Sequence, residues 1–114
     1  MQYVFREPDE YSFKDRDGHD GKIFATGSAM SGHLIIECHD KLRVLQTENE
    51  SEFNYYILKG EGYFIFNGER QEVVAGDLVV VPPGTQFSFG GQLRMLLTVT
   101  PPWKPEQEEK VAIG

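Results

Sequence analysis

Gly60-Glu61-Gly62-Tyr63-Phe64-Ile65-Phe66-Asn67-Gly68-Glu69-Arg70-Gln71-Glu72-Val73-Val74-Ala75-Gly76-Asp77-Leu78-Val79-Val80-Val81-Pro82-Pro83-Gly84 is the stretch whose reading decides the fold. Short apolar or alternating runs are cut by turn residues at close intervals, the pattern of an antiparallel all-β sandwich or barrel. Asn67-Gly68 is the strongest hairpin signal, because a type I′ turn needs positive φ at both central residues. Gly60-Glu61-Gly62 reads as a sharp turn between strands over Phe53 to Lys59 and Tyr63 to Phe66. Leu78 to Val81 has no alternation, which suits a strand covered on both faces, and Pro82-Pro83-Gly84 ends it by removing donors and fixing φ.

Outward from that stretch, His33 to Asp40 and Leu42 to Thr47 read as strands with a turn at Asp40-Lys41. Glu69 to Val74 returns from the hairpin, and Gln86 to Phe89 and Leu93 to Thr100 close the set before Pro101-Pro102. The 114 residues are expected to form a single domain. Its barrel spans about residues 24–102, preceded by an N-terminal arm over 1–23 and followed by a tail over 103–114. Both ends are expected to wrap the barrel or fray.

Eighteen acidic against eleven basic residues give a net charge of -7. That balance repels phosphate backbones and anionic lipid, so neither nucleic acid nor a membrane surface is an expected partner. The N-terminus turns polar after five residues, and no later apolar run approaches ~18 residues, so a soluble cytoplasmic protein is expected. Cys38 is alone and sits in the apolar run Leu34-Ile35-Ile36-Glu37-Cys38, which reads as a buried inert thiol. The run Asp15-Arg16-Asp17-Gly18-His19-Asp20-Gly21 is not a calcium loop. An EF-hand begun at Asp15 needs Gly where Asp20 stands and Glu where Thr26 stands, so the run reads as a solvated turn with His19 in solvent.

From about Leu34 to Pro102 the chain resembles the cupin family, whose second motif runs Gly, five residues, Pro-x-Gly, two residues, His, three residues, Asn. Gly76, Pro82 and Gly84 match its frame, while its His falls on Phe87 and its Asn on Gly91. In the first motif Gly60 is the closing glycine, which puts the family's Glu on Phe53. Its His pair falls on Gln46 and Glu48, or on Thr47 and Asn49 with the shorter spacer. The resemblance implies an antiparallel cupin β-barrel, a double-stranded β-helix or jelly roll; a homodimer is expected because a small barrel has exposed edges that the apolar Tyr3-Val4-Phe5 of a partner could cover, as is common among cupins. Every position where the family holds a metal ligand carries something else here, so no metal, no cofactor and no catalytic residue are expected.

Glu48, or Glu52 if a bulge turns it inward, could join a degraded site. His33, Glu37 and His39 share one strand face at a spacing that suits zinc, against the plainer reading of an exposed polar face.

If Phe53 points inward, Tyr55 and Ile57 do so with it, and Phe87 and Phe89 face them. These rings are either packed core or the wall of an apolar cavity with polar groups at its mouth. The candidate ligand-binding set is Gln46, Glu48, Phe53, Tyr55, Tyr63, Phe87 and Phe89, with Thr47 the alternative to Gln46. The favoured function is non-catalytic binding of a sugar-like or small hydrophobic metabolite, or a dimeric accessory role. The alternative is an enzyme, either a metal-independent sugar isomerase or epimerase or a metallo-cupin with displaced ligands. The expected absence of an inward imidazole favours binding over catalysis, since acid/base chemistry needs such a group within reach of substrate. Tyr55 with Glu48 is the remaining acid/base candidate.

Overall fold

The computed structural model describes residues 1–113. The elements are β1 (Phe13–Arg16), β2 (His19–Ile23), β3 (Gly32–Cys38), β4 (Val44–Glu48), β5 (Glu52–Phe66), β6 (Glu69–Val74), β7 (Leu78–Val81), β8 (Gln86–Thr100) and β9 (Glu108–Ala112), with a 3-10 turn at Pro105–Gln107 before β9. The sheet runs β1-β2-β3-β8-β4-β9, and β5 pairs with β6, β7 and β8. Every pairing is antiparallel. The sheet curls into the cupin barrel expected from the sequence, and Asn67-Gly68 forms the expected hairpin with φ of 48° and 87°.

Strand segmentation differs from the sequence reading in two places. The expected pairs of short strands are single strands of 15 residues each, β5 and β8, paired from Glu52↔Thr100 to Phe66↔Phe87. Gly60 is not a reversal. Its φ is +93°, and a Cβ there would overlap the Gln92 carbonyl oxygen, so glycine lets the two long strands bend while staying paired. Register slips by one residue between Ile57 and Lys59. That bulge reverses the alternation, so Ile57 and Phe64, seven positions apart, both point inward and are fully buried.

β7 also departs from expectation. Val79 and Val81 are buried while Leu78 and Val80 are 63% and 47% exposed, so this strand is covered on one face only. Its lack of alternation comes from two apolar residues, Leu78 and the β-branched Val80, standing on the outer face.

The ends carry strands, not loose wrappings. Asp17-Gly18 turns β1 into β2, and β2 pairs with β3 from His19↔Cys38 to Ile23↔Leu34. The tail returns as β9 beside β4, from Val44↔Ala112 to Glu48↔Glu108. Glu7 adds a tether through Lys22 at 3.0 Å and Arg94 at 2.5 Å, while Tyr3 and Val4 lie exposed.

The core sits at one end of the barrel. Phe64 and Phe89 lie 5.0 Å apart between ring centroids, and Tyr55 is 5.2 Å from Phe64 and 5.5 Å from Phe89. Met95, Leu42, Val81 and Cys38 fill in around them. The Cys38 thiol is buried, which pushes its pKa up, in keeping with an inert core residue.

Candidate functional site

Above this core the barrel opens into a cavity of about 570 Å³. Its position follows from strand alternation. Gln46 and Glu48 on β4, Phe53 and Tyr55 on β5, and Leu97 and Val99 on β8 all point inward toward the open end. β1, β2 and the start of β3 close one side with Phe13, Arg16, His19 and His33, and the C-terminal segment closes another with Trp103, Glu108 and Lys110.

Four of the seven ligand-binding candidates therefore share the cavity: Gln46, Glu48, Phe53 and Tyr55. Phe87 and Phe89 are not part of its wall. They are 0% and 1% exposed and belong to the packed core beneath. Tyr63 stands elsewhere, past the bulge, under the Arg70 guanidinium at 3.9 Å. The inverted alternation after Ile57 carries Tyr63 away from the face that Tyr55 occupies.

His19 corrects the reading of a solvated loop histidine and of an interior without imidazole. As the first residue of β2 it points into the barrel, with its ring edge-on to Phe13 at 5.2 Å and to Phe89 at 6.0 Å. Burial, helped by the Lys110 and Arg16 cations, pulls its pKa down to about 4, so the ring is neutral at neutral pH. His33 also lines the cavity, and its Nδ1 is buried with no hydrogen-bond partner. The signal that finds β1 and β2 in sequence is Asp17-Gly18, a hairpin dipeptide of the same kind as Asn67-Gly68.

Glu48 is the most unusual group at the site. Its residue is 3% exposed, and burial pushes its carboxyl up to about 7 against the opposing effects of Gln107, Lys110 and Trp103. Gln107 Nε2 donates to Glu48 Oε2 at 3.4 Å and to Ser51 Oγ at 2.8 Å, and Ser51 Oγ donates to the Pro101 carbonyl at 2.6 Å. Gln107 Oε1 accepts from the Lys104 backbone N–H at 3.3 Å, and its carbonyl accepts from both Asn49 N–H groups at 3.1 Å. Burial and the Glu48 charge hold the Tyr55 phenol well above its usual pKa, so its hydroxyl stays protonated. Sequence reading missed Trp103, Gln107 and Lys110 because proline and charge in the tail gave no sign of a strand, only of a segment that wraps the barrel or frays.

The side chains at the family's metal positions do not fit a divalent ion. Phe53 and Phe87 offer no donor atom, Gln46 offers a neutral amide, and Glu48 is the one carboxylate among them. Thr47 is half-buried and Asn49 exposed, so the alternative spacing brings no imidazole or carboxylate either. Glu52 is outside the cavity wall and accepts from Asn54 Nδ2 at 3.3 Å. The set His33, Glu37 and His39 is not brought together. Glu37 and His39 instead lie on the outer surface with Asp20, their ligand atoms within 4.8 Å of one another. Tyr11 Oη donates to Glu37, whose other oxygen lies 3.4 Å from Arg94 Nε, so ordinary ion pairing accounts for this cluster.

Residues 45–99 match the family model described as a cupin domain. The chain belongs to the cupin family. An uncharacterized protein of Methanocaldococcus jannaschii is 33% identical over 70 residues, covering 58% of this chain and 56% of that protein, so the match spans little more than half of the relative. Among solved structures, Streptomyces PAC13 carrying a histidine-to-glutamine substitution, with uridine, is similar over 100% of this chain and 95% of its own, at 25% identity and TM-score 0.90. Pac13 is described as a nucleoside dehydratase; that structure superposes with TM-score 0.90 at 24% identity, over 99% of this chain and 93% of its own. KdgF from Halomonas has TM-score 0.69 at 15% identity, over 85% of this chain and 89% of its own. No helix among the described residues is long and apolar enough to cross a membrane.

Proposed function

We propose that this cupin binds a small metabolite at the barrel mouth, of the size and mixed polarity of a nucleoside. The observation that carries this reading is the cavity itself. Its volume of about 570 Å³ falls within the range of small-molecule sites. One wall is apolar, with Phe53, Leu97, Val99 and Trp103, and suits the flat face of a base; Gln46, Glu48, Arg16 and Lys110 offer polar contacts suited to a sugar. The likeness to PAC13 with uridine supports the same ligand class.

The test is calorimetric titration and thermal unfolding with uridine, other nucleosides and free sugars. Saturable binding that raises the unfolding midpoint, and that is lost in Trp103→Ala and Gln46→Ala, is the expected result. If no nucleoside or sugar binds, the reading fails.

A second reading is that the bound molecule is also converted by acid/base chemistry. It is favoured by His19, a neutral imidazole on the wall of the same cavity as an acidic side chain. The description of Pac13 as a dehydratase is consistent with it. Mass analysis of each bound ligand after overnight incubation tests it, and unchanged mass with no isotope exchange from heavy water rules it out.

A further inference from the structure

The geometry points to Glu48 as the proton-exchanging group of the barrel mouth, and to Gln107 as the positioning residue that aims it at a carbonyl or other acceptor oxygen of the ligand. The inference rests on the reading of the cavity as a binding site.

Glu48 lies at the end of β4 with its backbone fixed from two sides. Gly84 N–H donates to its carbonyl at 2.8 Å, and β9 pairs alongside at Glu108. The side chain is buried, yet it borders the cavity. A carboxyl so placed is normally disfavoured unless it is paired with a cation or fully hydrogen-bonded. Glu48 has neither arrangement in full. It accepts from the neutral amide of Gln107 at 3.4 Å, a long bond. No ion pair joins it to Lys110, which binds Asp17 and Glu108 at 2.7 Å each.

Gln107 is built for one orientation. The Lys104 backbone N–H can only donate, so it selects the amide oxygen and turns both amide hydrogens toward Glu48 and Ser51. Ser51 passes its own proton to the Pro101 carbonyl, which leaves its lone pairs to accept from Gln107. The chain of bonds runs Pro101, Ser51, Gln107, Glu48, and one carboxyl oxygen is held by it. Oε1 makes no such bond to the described residues of this chain, and the side chain borders the cavity. A neutral amide steadies the carboxyl without forcing it into the charged form, as an arginine would.

The other polar or charged groups around Glu48 come from every packed element. They are Gln46 on β4, Ser51 beyond it, Tyr55 on β5, Trp103 and Gln107 from the C-terminal segment, Glu108 and Lys110 on β9, and Arg16, His19 and His33 across the cavity. His19 titrates near 4, and the Tyr55 phenol well above 10, so neither changes charge near neutrality. In the neutral state Glu48 donates its proton to a ligand oxygen as a hydrogen bond. If the proton is transferred, the carboxylate remains and recovers a proton from water on release, so the balance closes without a further reactant.

The probe is uridine, titrated calorimetrically from pH 5 to 9 in two buffers of different ionisation enthalpy. In the wild type, proton uptake on binding is expected, with affinity falling about tenfold per pH unit above a midpoint near neutrality. Glu48→Gln should bind with no proton uptake and no pH slope. Gln107→Leu should keep the slope and move its midpoint upward, because the amide hydrogen bond favours the charged carboxylate; a role confined to stability would lower affinity without moving the midpoint. His33→Gln should leave the slope in place. Binding of uridine without proton exchange, or a slope that survives in Glu48→Gln, overturns the inference. If uridine does not bind at all, the nucleoside reading falls and Glu48 is tested directly by carboxyl carbon NMR. A midpoint near neutrality that rises in Gln107→Leu supports the assignment, and one in the ordinary carboxylate range defeats it.

Discussion

The closed end of the barrel and its mouth are built from the same strands, yet they obey different rules. At the closed end Phe64, Phe87, Phe89 and Met95 are at most 1% exposed and bear no polar atom that needs a partner beyond the backbone. At the mouth Gln46 and Glu48 are nearly as buried, at 6% and 3%, but they face a cavity in place of a packed neighbour. Burial alone therefore does not separate core from site in this molecule. What separates them is whether the buried face meets side chains or open space, and that depends on where β1, β2 and the tail seal the barrel.

The sharpest way to break the comparison is to truncate one ring at each end. Phe87→Ala should cost about 3–5 kcal/mol, because a fully enclosed ring leaves a cavity that its neighbours only partly fill. Phe53→Ala should cost clearly less, because one side of that ring already borders open space. Chemical denaturation of both variants measures the difference, and equal costs would mean that the mouth is packed as tightly as the core.

Backbone geometry supplies the next effect. Gly91→Ala places a Cβ at a φ of +112° and 2.6 Å from the Glu61 carbonyl oxygen, so a loss of about 2 kcal/mol or more is expected. Gly84→Ala, with a φ of +84° and open space around it, should cost only the strain of the φ. A thermal midpoint for Gly91→Ala no lower than for Gly84→Ala would show that the two long strands are not held so closely at that point.

The two perturbed groups at the mouth make opposite contributions to acid and base stability. Glu48 has a folded pKa of about 7 against an ordinary 4.5. The folded chain holds the extra proton in that interval, and stability falls as pH rises through it. His19 has a folded pKa of about 4 against an ordinary 6.5, so the unfolded chain holds the extra proton there and stability falls as pH drops through that interval. Between about 4.5 and 6.5 the two slopes offset one another. Glu48→Gln should therefore gain stability relative to the parent as pH rises from 4.5 to 7, and His19→Gln should gain relative to the parent as pH drops from 6.5 to 4. Urea midpoints across pH read both, and parallel curves for all three proteins would refute the assigned burial of these groups.

The smallest stability effect belongs to the rim. Trp103 is 42% exposed, so Trp103→Ala should change stability by about 1 kcal/mol or less while abolishing the ligand-induced rise in unfolding midpoint. A large loss of stability without loss of ligand response would place Trp103 with the core and not with the site.

Much of the barrel could be read from residue order because the turns are local. Asn67-Gly68, Gly76-Asp77 and Pro82-Pro83-Gly84 restrict φ or remove donors within a few residues, and their spacing determines where strands end. The inward set Phe53, Tyr55 and Ile57 followed from a period of two, as did the burial of Phe87 and Phe89. Tyr63, expected at the cavity mouth, lies away from it because a bulge between Ile57 and Lys59 shifts parity along one continuous strand, and no local signal distinguishes a glycine that bends a strand from one that reverses it.

Local order thus determined the antiparallel barrel, the aromatic interior and the lack of imidazole at Gln46, Glu48, Phe53 and Phe87. Tertiary structure alone decided which buried residues face space. It brought His19 of β2, His33 of β3 and Trp103 and Gln107 of the tail around Glu48, from positions 15 to 59 residues away from it in the chain. A side chain's charge state and neighbours depend on desolvation and on groups that meet only after the strands close. Neither quantity is written in the residues adjacent to it.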